Sequence, residues 1–179
     1  DESVMVIVDN SKVIGIAGVM GGEYSGIKDD TVDVALECAY FTPQAVAHAA
    51  RKYGINSDSS YRYVRGIDFG RTRSMCDYAA SLIKIICGGD VCTVAITAGE
   101  VPPVVRTVTA YRSKISALIG EVIPADVIIE RLNRLGIAAK AEGDKIAVSV
   151  PAYRSDIRHA AGVSGEEATL YGPFQHPTR

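Results

Sequence analysis

The sequence predicts an α+β protein made of two consecutive modules, a mixed one over residues 1–98 and a small winged-helix-like one over residues 104–179. Three observations lead there. Of the 179 residues, 47% are hydrophobic, enough to bury one sizeable core or two small ones. Apolar runs of strand period and of helical period both occur, so neither an all-α nor an all-β chain is indicated. Finally, the stretch TAGEVPP sets Gly99 close to Pro102 and Pro103, which suit neither a helix interior nor a central strand, so the chain divides there.

In the first module, VMVIVDN and KVIGIAGVM are β-branched runs split by Asp9, Asn10 and Ser11 and predict a hairpin. GVMGGEYSG follows as a glycine-rich loop. Residues 32–41, VDVALECAYF, predict a buried strand, with Val34, Leu36, Cys38 and Tyr40 on one face and Glu37 among the apolar residues of the other. Thr42 as N-cap, Pro43 at the first helical position and Gly54 as C-terminal cap bracket a helix, with Arg51 and Lys52 in the last turn where the macrodipole favours them. INSDSSYRYVRG reads as a polar loop. From about Arg71 to Cys87, the residues Met75, Ala79, Leu82, Ile83 and Ile86 recur at helical spacing, and Gly88-Gly89 ends the run.

In the second module, residues 113–119 predict a short helix stopped by Gly120. Val127, Ile128, Leu132 and Leu135 form one apolar stripe between Pro124 and Gly136. IAAKAEGDKIAVSVP is a hairpin around Gly143-Asp144, and a last helix runs toward Leu170. Helix, helix, hairpin, helix is the order that makes this module winged-helix-like.

Charge excludes some function classes. Nineteen Lys and Arg against 21 Asp and Glu give a net charge of −2, so no global field draws the chain to nucleic acid or to an anionic membrane. Residues 1–99 carry 9 basic and 12 acidic side chains and residues 100–179 carry 10 and 9. The helix over 125–135 sets Arg131 and Arg134 against Asp126 and Glu130, so strong DNA binding is not expected, with at most weak contact to tRNA through Arg154 and Arg158. No apolar run reaches membrane length and the first residues lack the basic start of a signal peptide. The expected setting is cytoplasmic, without a membrane partner. The missing initial Met and the abrupt entry into MVIVDN suggest a piece of a longer polypeptide. Cys38, Cys76, Cys87 and Cys92 show no CxxC spacing, and His48, His159 and His176 lie far apart. No metal site is expected, and the cysteines read as buried free thiols.

Glu37 is the sharpest anomaly, because a carboxylate in a buried strand must be paired, hydrogen-bonded or protonated. It is either satisfied by Arg51, Arg62 or Arg65, or placed at a sheet edge facing water, or it lines a pocket and accepts a hydrogen bond from a ligand. The glycines of residues 18–26 permit close backbone approach and positive φ, yet match neither GxGxxG nor a phosphate loop; a tight structural turn and a ligand-approach loop both remain open. Ser57, Asp58, Ser59 and Ser60 serve as caps of a helix or turn, or belong to a site, although no nearby His completes a triad. Tyr61, Arg62, Tyr63 and Arg65 offer stacking and phosphate contacts, or simply a solvated face.

Taken together, IAGVMGGEYSGI, VALECAYFTPQAV, ARKYGINSDSSYRYVRGID and IICGG resemble, in order and spacing, the bacterial phenylalanyl-tRNA synthetase beta subunit. They are similar to the later part of its B3/B4 editing domain. YRSKISALIG, RLNRLGI and VSVPAYRSDI resemble the B5 domain that follows, with residues 162–179 the poorest match. The resemblance implies hydrolysis of tyrosine wrongly attached to tRNA for phenylalanine. On it, Glu37 takes the position of the carboxylate that recognises the tyrosine hydroxyl and Gly21 that of a backbone donor in the same pocket. Ser57 lies where the family usually has Thr and Ser59 where it usually has Ala; both bound the pocket. A family histidine that contacts the tRNA end lies upstream and has no counterpart here. No catalytic side chain stands out, so a positioned water attacking the ester is expected, helped by the terminal hydroxyl of the tRNA. Aminoacylation, with ATP and magnesium, belongs to the parent enzyme and its alpha subunit, and no cofactor is expected in this chain. The rival readings are a scaffold or nucleic-acid-binding module without chemistry, and a free-standing editing hydrolase.

Overall fold

The computed structural model describes residues 2–171 apart from 93, 101 and 104. The last residues assigned to the second module, 172–179, with His176 among them, therefore lie outside the described residues. The chain separates into two compact units, Asp1–Pro102 and Pro103–Arg179, and its described residues form six helices and two small antiparallel sheets, an α+β protein.

In the first unit, β1 (Val6–Val8), β2 (Val13–Ile16) and β3 (Met20–Gly21) form an antiparallel sheet in chain order. The predicted hairpin is present, with Val6 opposite Ile16 and Ile7 opposite Gly15. Its turn is held by Asp9, whose Oδ1 accepts from the backbone N–H groups of Ser11 at 2.7 Å and Lys12 at 2.8 Å. A short polar side chain thus does the work of a backbone turn. These hydrogen bonds hold the Asp9 carboxyl below its ordinary pKa. Helix α1 (Pro43–Tyr53) starts at its proline and ends at Gly54, whose φ of 65° is the left-handed cap expected of that glycine. Val4, Val19, Val46 and Ala49 form the core, with Ile16, Phe41, Ile55 and Tyr63 packed against it.

The structure departs from expectation in four places here. Residues 32–41 form no strand: no ladder pairs them among the described residues, and Val32, Val34 and Leu36 are exposed. Apolar content indicated burial, but a strand exists only where a neighbour takes up its N–H and C=O groups. Glu37 is consequently an exposed residue rather than a strand-interior one. The polar stretch read as a loop holds helix α2 (Asp58–Arg65), followed by a 3-10 turn (Phe69–Arg71) and helix α3 (Thr72–Cys87). The glycine-rich loop contains β3 and a 3-10 turn (Glu23–Ser25). Cys38, Cys87 and Cys92 are exposed and Cys76 is half-buried, so the cysteines are free but not core residues. α3 forms as predicted, yet buries no residue, and Met75, Leu82, Ile83 and Ile86 are exposed. Local hydrogen bonds make the helix; burial needs a partner.

In the second unit, β4 (Val105–Tyr111), β5 (Ala138–Glu142) and β6 (Lys145–Pro151) pair in the order β4-β6-β5, all antiparallel. Helices α4 (Arg112–Ile119), α5 (Ala125–Arg134) and α6 (Ala160–Tyr171) complete it. Ile146, Val148 and Val150, alternate residues of β6, are fully buried against Ile115, Ile128, Leu132, Ile157 and Val163, the period-2 pattern of a sheet with one covered face. The β5–β6 turn also fastens α4. Asp144 accepts from the backbone N–H of Ser113 at 2.9 Å and from its hydroxyl at 2.6 Å, and these bonds lower the Asp144 carboxyl pKa. The strand β4 was not expected from the sequence.

Candidate functional site

The four predicted site residues lie on three segments: Gly21 in β3, Ser57 and Ser59 at the start of α2, and Glu37 on the stretch 32–41, which is neither helix nor strand. Gly18 turns the chain between β2 and β3 with φ of 69°; within residues 18–26 positive φ is confined to it. A Cβ there would stand 2.8 Å from Val46 Cγ2 and 3.1 Å from Phe41 Cδ2, so both backbone conformation and close approach require glycine. Gly21 lies three residues on, in β3, exposed and with open space where a Cβ would stand.

Ser57 and Ser59 converge on this turn. The Ser57 hydroxyl donates to the carbonyl of Val19, and that of Ser59 donates to the carbonyl of Gly18 at 2.9 Å. Ser57 is also the N-cap of α2: its Oγ accepts from the backbone N–H of Ser60 at 3.0 Å, while Ser60 Oγ accepts from the N–H of Ser57 at 3.0 Å. This is a reciprocal capping box in which serine stands at the usual glutamate position. Ser57 thus acts as the helix cap and also ties the start of α2 to the glycine turn. Ser57→Ala removes the cap and leaves the Val19 carbonyl without that donor. It is expected to destabilise the chain by about 1–2 kcal/mol, measured by chemical denaturation with a probe in the first unit.

Glu37 has different neighbours. Although the residue is exposed, neighbouring protein partly desolvates its carboxyl and raises it above the ordinary carboxylate value. Tyr63, on α2, is raised by burial and then by the negative fields of Glu37 and Cys38. Its hydroxyl donates to the Ala39 carbonyl at 2.8 Å, and its ring lies 5.3 Å from that of Phe41. The segment carrying Glu37 is therefore fastened to α2 through Ala39 and Phe41, and Phe41 in turn packs beside Gly18. Arg65, offered as a partner for Glu37, donates instead to the Tyr61 carbonyl at 3.0 Å and lies 3.6 Å over the Tyr61 ring.

The sequence marks Tyr63 only as one of a Tyr and Arg set for stacking and phosphate contacts, and Gly18 only as one glycine of the 18–26 loop; neither is assigned to the Glu37 pocket. A signal for Tyr63 existed: Ser59 and Tyr63 are four apart and share a face once residues 58–65 are helical. An open depression of about 630 Å³ lies along α3, lined by Asp77, Ala80, Ser81, Lys84, Ile85 and Val91, and includes none of the four predicted residues. Among the described residues no group of three His, Cys, Asp or Glu is placed to hold a metal ion, and no helix is long and apolar enough to cross a membrane. In the second unit, Arg154 is held within its own unit. It reaches Asp156 at 2.6 Å and Glu166 at 2.5 Å, which raise its pKa and, for Asp156, lower the carboxyl's.

The B3/4 domain family model matches residues 1–88, and the tRNA synthetase B5 domain model matches residues 108–172. The chain is 39% identical over 174 residues to the phenylalanine–tRNA ligase beta subunit of Pseudoalteromonas translucida, covering 96% of this chain and 22% of that protein. Identity to the same-named protein of Vibrio cholerae is 39% over 170 residues (94% of this chain and 21% of that protein), and to that of Dechloromonas aromatica 38% over 172 residues (96% and 22%).

Proposed function

We propose a function on the premise that the chain belongs to the phenylalanine–tRNA ligase beta subunit family, of whose matched members it spans about a fifth of the length. In the complete enzyme, residues 1–88 contribute to a hydrolytic editing site that removes tyrosine from tRNA for phenylalanine. Synthesis of the ester, with ATP and magnesium, is assigned to the alpha subunit.

Glu37 carries this reading. Its carboxyl is lifted by desolvation on a segment whose Phe41 packs beside the serine-anchored turn at Gly18. Tyrosine and phenylalanine differ by one hydroxyl. A site that hydrogen-bonds that hydroxyl disfavours the analogue lacking it by roughly 10⁴-fold, because its own polar group is otherwise left unpaired. Glu37 is assigned as the acceptor, with Gly21 supplying backbone and Ser57 and Ser59 fixing the turn that bounds the pocket. Since both serine hydroxyls are already given to carbonyls, neither is assigned as nucleophile. The ester is attacked by a positioned water, with the tRNA's terminal hydroxyl assisting.

The test is Glu37→Ala in the complete enzyme. Losing one charge-assisted hydrogen bond is expected to cost about 1.5–3 kcal/mol in the transition state, a fall of about 10- to 150-fold in kcat/KM for tyrosyl-tRNA hydrolysis. Phenylalanylation should be unaffected. Undiminished hydrolysis by the variant would remove Glu37 from the site and, with it, this reading.

A further inference from the structure

The outer side of α2 carries a stacked pair that the candidate site does not use. Tyr61 and Arg65 are four residues apart and so share one helix face. The Arg65 guanidinium lies 3.6 Å over the Tyr61 ring, and its Nη1 donates to the Tyr61 carbonyl at 3.0 Å. Both residues are exposed, Tyr61 by 60%. A flat cationic plate is thus held at the surface against an aromatic ring. Two residues along a helix turn the side chain by about 200°, so the pair looks away from Ser59 and Tyr63, which are half-buried at the Gly18 turn and Phe41.

Charge gathers on the same part of the chain. Of the 9 basic and 12 acidic side chains over residues 1–99, residues 42–66 hold four of the former, Arg51, Lys52, Arg62 and Arg65, and one of the latter, Asp58, which leaves five against eleven elsewhere. The four cations are exposed on α1 and α2, two helices that pack together. A polyanion is repelled by most of this unit and attracted here.

We propose that α2 binds an unpaired RNA strand, with Tyr61 and Arg65 as the stacking plate and Arg62 as a phosphate contact, and that its occupant is the single-stranded acceptor end of tRNA. The choice of tRNA rests on the editing reading; the preference for an unpaired strand rests on the plate and the charge. Bases of a single strand stack on aromatic rings and on guanidinium planes, whereas those of a duplex are already stacked on one another. A helix width of about 10 Å parts the plate from the serines that bound the pocket. The base it holds therefore precedes the nucleotide that bears the ester.

The experiment follows the anisotropy of a fluorescent single-stranded RNA ending in CCA as the full chain is added, beside the same strand annealed to its complement and an abasic strand of equal length. The expected result is binding of the single strand, with the other two weaker by about 5-fold or more. Tyr61→Ala should weaken the single strand by about 5- to 150-fold and leave the abasic strand unchanged, while Tyr61→Phe, which keeps the ring, should bind as wild type. Arg62→Ala should weaken both strands and lower the slope of log affinity against log salt by about 0.7. These RNAs carry no ester, so the outcome is separate from that of the editing test at Glu37. No binding, an abasic strand or a duplex held as tightly as the single strand, or a Tyr61→Ala variant that binds like wild type would overturn the proposal. In the complete enzyme Tyr61→Ala should raise KM for tyrosyl-tRNA hydrolysis and keep kcat; an unchanged KM would remove tRNA as the occupant.

Discussion

Leu132→Ala is expected to destabilise residues 103–171 by about 2–5 kcal/mol, the usual cost of losing a buried leucine together with the cavity it leaves. Leu132 is fully buried in the cluster of Ile128, Ile137, Val150 and Ile157. Its backbone carbonyl accepts from Ile137 and Leu135, bonds that alanine retains, so the loss isolates side-chain packing. A unit of this size has a total stability of only about 3–10 kcal/mol, and one truncation removes a large part of it. Leu118, 66% exposed on α4, is the control: its replacement by alanine should change stability by no more than about 0.5 kcal/mol. Amide exchange in β6 reads both effects within this unit. Equal effects would mean that the core is not where the burial pattern places it.

Glu167→Gln is expected to stabilise the same unit above pH 7 and to remove most of its pH dependence between about pH 5 and 8. Both carboxylate oxygens of Glu167 are buried with no hydrogen-bond partner among the described residues. The Arg131 guanidinium stands 3.6 Å away, close enough to attract but too far for a good hydrogen bond. Burial pushes the carboxyl from its ordinary 4.5 up to about 7, with Arg131 opposing and Glu166 adding to the rise. A folded-state pKa above the unfolded one means that the protonated form favours folding. The stability is complete below about pH 4.5 and is lost as pH rises through about 7, with a slope of up to about 1.4 kcal/mol per pH unit and on the order of 3 kcal/mol in all. Asp144 and Asp156, whose carboxyls are held low, act in the other direction and only at lower pH. Thermal denaturation of wild type and variant at pH 5.5 and 8 measures the difference. A Gln variant that keeps the wild-type slope would assign the titration to another group.

What could be read from the sequence was what neighbouring residues decide among themselves. Pro43 and Gly54 delimit α1 because each acts through its own backbone, and Gly143 turns the β5–β6 hairpin with φ of 64°. β4 is not legible in the sequence, although Val108 and Ala110 alternate with Thr107 and Thr109, because its partner β6 lies far along the chain and the adjacent prolines signal a linker. Ser57 and Ser60 cap α2 without the acidic or amide residue by which a capping box is normally recognised. Residues 32–41 show the opposite failure: hydrophobicity can be counted locally, but a strand partner cannot. The candidate site divides in the same way. Glu37 stood out as a carboxylate in apolar company, whereas Tyr63 and Cys76 enter its surroundings only through contacts between elements distant in sequence.

The order β4-β6-β5 also imposes a sequence of events in time. β5 meets β6 across a turn of two residues, Gly143 and Asp144, with Glu142 opposite Lys145, and a hairpin of this kind closes in about 1–10 μs. β4 meets the other edge of the same strand with Tyr111 opposite Lys145, so all of α4, α5 and β5 must be looped out before its first pair forms. Loop-closure entropy rises with the logarithm of the segment enclosed, and non-local pairing of this kind sets the rate of folding. Asp144 belongs to the early hairpin yet binds Ser113 at the start of α4. It gives the late strand a landing point, since Ser113 lies two residues beyond the end of β4, and in this unit the slow step is the arrival of β4 at an edge that its neighbours have already built.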